Sequence, residues 1–86
     1  MIKVKQLANN QFIIQHDDIE YFQSYDSIIV KRFRQGISYL DKTYWNYSKT
    51  TSKYRNQFLG ETSKETQRKI DKGLHILTDL NAWNPI

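Results

Sequence analysis

A chain of 86 residues can bury one core and not two, and its 38% hydrophobic and 14% aromatic content sets it apart from a disordered segment. The absence of cysteine excludes disulfide frameworks and thiolate metal sites, and no apolar run approaches a membrane span or a signal-peptide core, so a cytoplasmic protein is expected. The net charge of +4 arises mainly in the second half, where residues 41–86 carry eight basic against five acidic residues, an excess that assists encounter with nucleic acid or an acidic protein and is also ordinary for a soluble surface.

Residues 2–8 alternate apolar and polar side chains, and Asn9-Asn10 tolerates the left-handed backbone of a hairpin before a second strand at 11–16. A two-residue loop at Asp17-Asp18 then sets Ile19 opposite His16, Tyr21 opposite Ile14 and Phe22 opposite Ile13. This register puts Phe12, Ile14, Ile19 and Tyr21 on one face and Ile13 with Phe22 on the other. Both faces are therefore partly apolar, which predicts helices over one and a loop, a curl or a second subunit over part of the other. Tyr25, Asp26 and Ser27 turn the chain into the β-branched run Ile28-Ile29-Val30, and Arg34-Gln35-Gly36 turns it again into a short strand at 37–40. Arg32 and Arg34 share a face if the strand extends that far, and they are candidates for contact with an anion.

Residues 43–47 read as a strand extension or an aromatic connector. Ser48 or Thr51 caps a helix that ends at Leu59-Gly60, with Tyr54 and Phe58 turned to the sheet and Lys49, Lys53 and Arg55 expected on the surface. Thr62 and Glu65 form a capping-box pattern for a second helix reaching Lys72, whose only large apolar side chain is Ile70. Its spacing offers the ion pairs Glu65–Lys69 and Arg68–Asp71. Residues 74–77 then return as a strand that covers an open sheet edge, and Trp83 in the tail 82–86 is a candidate latch on the single domain 1–86. The fold class is α+β, a small antiparallel sheet of about five strands followed by two short helices and a C-terminal strand.

Catalytic chemistry finds little support. His16 and His75 lack a third metal ligand, the acids Asp17, Asp18, Glu20 and Asp26 do not match a calcium loop, and Gly36, Gly60 and Gly73 are isolated rather than a phosphate cradle. No enzyme activity, cofactor or metal is expected. The positive signal is the interleaving of Lys42, Tyr44, Trp45, Lys49, Lys53 and Arg55, since cations neutralise phosphates and exposed aromatic faces stack on nucleobases. With Arg32 and Arg34 these are the candidate contacts to DNA or RNA, or to a protein partner; self-association is compatible with the same sequence.

The stretches YFQSYDSI at 21–28, YLDKTYW at 39–45, NYSKTTSKYRNQFLGE at 46–61, KETQRKI at 64–70 and ILTDLN at 76–81 resemble a family of short uncharacterised proteins from bacteriophages and other mobile elements of low-GC Gram-positive bacteria. The resemblance brings no catalytic motif. It implies a protein that binds nucleic acid or disables a host defence or nucleic-acid-processing complex, as an anti-CRISPR protein does.

Overall fold

The computed structural model describes residues 1–34 and 36–81. Strands β1 (Ile2–Ala8), β2 (Gln11–His16), β3 (Ile19–Ser24), β4 (Ser27–Phe33) and β5 (Ser38–Asp41) form an antiparallel meander. Helices α1 (Lys49–Leu59) and α2 (Ser63–Asp71) follow, and β6 (His75–Thr78) pairs with β5 in parallel. The six strands thus lie in the sheet in chain order, in the α+β layout the sequence predicts. Only the last connection needs a crossover, and the two helices supply it.

The hairpin turns take the backbone their residues favour. Asn10 and Asp17 sit at φ 62° and 55°, and the second of these turns fixes the predicted pairs Ile13–Phe22, Ile14–Tyr21 and His16–Ile19. Tyr25 also has a positive φ of 55°, a conformation rare for a bulky residue, and its N–H donates to the Asn10 carbonyl at 2.7 Å, locking two turns together at one end of the sheet.

Alternation divides the sheet into two dissimilar faces. One carries Phe22, Val30 and Leu40, with Ile29 added to it by a bulge between β3 and β4; together with Phe58 of α1 these form the buried core. The Phe22 and Phe58 rings stack at 5.9 Å, and Thr51 of α1 meets Ser24 in a buried hydrogen bond of 2.9 Å. Tyr54 and Phe58 pack inward as the helical spacing predicts. Ser48, not Thr51, is the N-cap, its hydroxyl accepting the Thr51 N–H, and Gly60 ends the helix at φ 70°.

The other face is built from cross-strand rows. The middle row crosses all six strands as Val4, Ile14, Tyr21, Lys31, Tyr39 and Ile76. The row on one side of it is Ile2, His16, Ile19 and Phe33, and the row on the other is Gln6, Phe12, Gln23 and Ile28. None of these side chains packs against the core cluster, and Ile2 and Val4 are 64% and 62% exposed. No helix among the described residues covers this face.

Asp41 fastens the end of the sheet. Its buried carboxylate accepts the Thr43 and Tyr44 N–H groups through Oδ2 and the Leu80 N–H and Asn81 amide through Oδ1. Asn81 in turn bonds both the N–H and the carbonyl of Ile28, standing in for a paired strand where β5 is too short to reach. Residues 43–47 are consequently a turn and not a strand extension. Asp41→Asn keeps one carbonyl acceptor and turns the other oxygen into a donor facing donors, so a loss of about 2 kcal/mol in urea unfolding is expected; an unchanged midpoint would refute this role. Gln35 of the predicted turn and Trp83 of the predicted latch lie outside the described residues.

Candidate functional site

The structure separates the candidate residues into internal and surface groups. Arg55, expected on the surface, is fully buried. Its guanidinium donates to the Trp45 carbonyl, to Asn46 Oδ1 and Ser52 Oγ through Nη1, and to Asn56 Oδ1 and Ser63 Oγ through Nη2, the last two at 2.9 and 2.8 Å. It also lies 5.1 Å from the Trp45 ring. One side chain therefore ties the connector 42–48, α1 and the start of α2 together. Burial lowers its pKa, opposed by the charge of Glu61, and arginine's high intrinsic basicity keeps it charged.

Arg32 is likewise structural. It faces the helices, is bonded by two nitrogens to Glu20 Oε1, donates to the Phe58 carbonyl and lies 4.2 Å over the Phe58 ring. The predicted common face with Arg34 fails because β4 stops at Phe33; Arg34 is in the following turn, exposed, 3.6 Å from Asp18. Tyr44 and Trp45 are half-buried against the core. The most exposed aromatic of the connector is Tyr47 at 71%. The Asp41-centred turn directs Tyr44 and Trp45 inward and leaves Tyr47 outside, edge-on to Tyr44 at 5.5 Å.

What remains exposed is a set of lysines and one arginine on the helices. Lys49 and Lys53 form one stripe on α1, and Lys64, Arg68 and Lys72 another on α2 and its cap; none has an ion-pair partner among the described residues. Lys42 is exposed at the end of β5. The first turn of α1 holds no acidic residue, and beside it a depression is lined by Asn46, Tyr47, Ser48, Lys49, Ser52 and Ser63, three of which are hydrogen-bonded to Arg55 below. Backbone N–H groups at a helix start, a lysine and hydroxyls together favour an anion there.

The predicted intrahelical ion pairs of α2 do not form. Glu65 instead closes the capping box with Thr62, Asp71 accepts from Gln67, and Lys69 reaches Glu61 at 2.7 Å. Glu61 is the centre of a second polar cluster, accepting Thr66 Oγ1 at 2.8 Å and bonded to His75 Nε2 at 2.6 Å. Burial raises its pKa, but the hydrogen bonds from Lys69, His75 and Thr66 together with the charge of His75 outweigh this and leave it lowered. The ionised carboxylate accepts from His75 Nε2, while Nδ1 is buried with no hydrogen-bond partner among the described residues. The cluster binds α2 to β6 and was not legible in the sequence, where Glu61 and His75 stand 14 residues apart.

The histidines do not meet, since β1 and β6 are opposite edges of the sheet and His16 lies next to one of them while His75 lies on the other. No cluster of three or more potential metal ligands occurs among the described residues. No described helix is long and apolar enough to cross a membrane. No curated protein and no solved structure matches the chain. Residues 1–73 match a family of unknown function, DUF8033, and the chain belongs to that family.

Proposed function

We propose that the protein is a small binding module for single-stranded nucleic acid, whose contacts lie on the helix side of the sheet. The observation that carries the reading is the set of exposed basic residues Lys49, Lys53, Lys64, Arg68 and Lys72 on the two helices, without ion-pair partners among the described residues, together with the exposed Tyr47 ring beside Lys49. The cations would neutralise phosphates, the α1 N-terminus and Lys49 would hold one phosphate, and Tyr47 would stack on a neighbouring base. Arg55 and Arg32 act as supports and do not themselves touch the ligand.

Two variants separate these roles by fluorescence anisotropy with a single-stranded oligonucleotide across a salt series. K49E/K53E is expected to weaken binding at every sequence and to lower the salt slope by about 0.7 for each phosphate that is no longer neutralised. Tyr47→Ala is expected to weaken binding about tenfold with the slope unchanged, because stacking releases no counterions. A folded wild-type protein that does not bind at low salt would refute the proposal.

A second reading draws on the resemblance to phage and mobile-element proteins: the same cations would cover an acidic surface of a host defence or nucleic-acid-processing complex. Capture from a host lysate after complete nuclease digestion distinguishes the two, since a retained protein partner that K49E/K53E fails to hold supports this second reading.

A further inference from the structure

We propose that two copies of the chain pair through their open sheet faces, forming a two-fold β-sandwich with the helices outermost. This inference is independent of the nucleic-acid reading, which uses the opposite side of the sheet.

The face is built as an interior surface and left outside. Its middle row is apolar or aromatic at five of six positions, and the rows beside it add Ile2, Ile19, Phe33, Phe12 and Ile28. At the usual strand spacing the fourteen positions, six in the middle row and four in each row beside it, cover about 450 Å² per copy, so face-to-face packing would bury about 900 Å² in all, close to the size at which specific interfaces begin. Ten of the fourteen positions are apolar or aromatic, and a patch of this size is often functional.

Charge selects the arrangement. Lys31 is the one lysine or arginine in the three rows and stands next to the centre of the sheet. A two-fold axis across the strands would set Lys31 against its own copy. An axis along the strands sets β3 over β4 of the second copy, so that Lys31 meets the Tyr21 ring, a cation–π partner, and Ile19 meets Phe33. The same operation places Ile14 over Tyr39 and Val4 over Ile76. Lys31 already lies 5.2 Å from the Phe33 ring of its own strand, and Phe33 is held edge-on to Tyr39 at 5.8 Å.

Sedimentation equilibrium of the full chain tests this. The wild type is expected at twice the chain mass of 10.3 kDa. Val4→Lys and Ile76→Glu, at positions 62% and 36% exposed in the single chain, are each expected to sediment as monomers with unchanged circular dichroism. Mixed in equal amounts they are expected to regain the dimer, because the introduced ammonium of one copy then faces the introduced carboxylate of the other. Lys53→Glu, on the helix side, should leave the dimer intact. A monomeric wild type would overturn the proposal, as would a dimer indifferent to both substitutions or a mixture that stays monomeric.

Discussion

Arg55→Lys is expected to lose about 3 kcal/mol in urea unfolding, although it conserves the charge. The guanidinium fork reaches five acceptors in three segments of the chain, and one of them, the Trp45 carbonyl, is a main-chain group that must be paired. An ammonium on a flexible stem cannot reproduce that fan of bonds; each partly buried acceptor left open, the Trp45 carbonyl first, costs about 1–3 kcal/mol, relieved at the exposed Asn46 and Ser63 by water and where Asn56 and Ser63 bond one another. Arg55→Ala also removes the packing against Trp45 and is expected to cost about 4 kcal/mol. Lys53→Ala, two positions away on the same helix, should change stability by no more than about 0.5 kcal/mol. An Arg55→Lys variant as stable as the wild type would show that the fork is not what holds the connector. Because the connector presents Tyr47, the Arg55 variants should also weaken oligonucleotide binding, in proportion to how far the connector loosens.

Glu61→Gln should cost about 3 kcal/mol near neutral pH, since it leaves His75 without an anionic partner and removes the charge facing Lys69. The dependence on acidity gives this prediction its sign. The folded carboxyl lies below its ordinary value of 4.5, so as the pH falls the unfolded chain takes up the proton first. The stabilisation is complete above that value and is lost as the pH falls through the lower, folded one. The gap between wild type and Glu61→Gln should therefore be full at about pH 6 and should shrink steadily below about pH 4. A gap unchanged at acid pH would mean that Glu61 acts through shape and not through its charge.

The meander was legible because its information is local. Asn10 and Asp17 mark turns by their backbone tolerance, and a two-residue turn leaves one register for strands of period two. Gly60 and the Thr62–Glu65 box delimited the helices for the same reason. The site was less legible because its determinants are distant in sequence. An arginine between a tyrosine and an asparagine on a helix reads as surface, and nothing in the spacing of Trp45, Asn46, Ser52 and Ser63 announces that all four converge on it. The identity of the exposed aromatic depended on the turn that Asp41 imposes. An extended connector would have placed Tyr44 and Trp45 on opposite sides and left one of them outside.

The order of the strands has a consequence for synthesis. Every pairing from β1 to β5 joins neighbours in the chain, so hairpins can form in the order in which residues leave the ribosome. The parallel strand is different, because β5 keeps an unsatisfied edge until both helices and β6 have emerged, and Asp41 waits for Leu80 and Asn81 over some forty residues of chain. During that interval the nascent chain carries a bare hydrogen-bonding edge beside an apolar sheet, the combination most prone to pairing with the wrong strand. The final segment thus acts as a seal: a chain cut short before residue 75 would present the same open edge permanently, and its fate would be aggregation rather than a smaller version of the same domain.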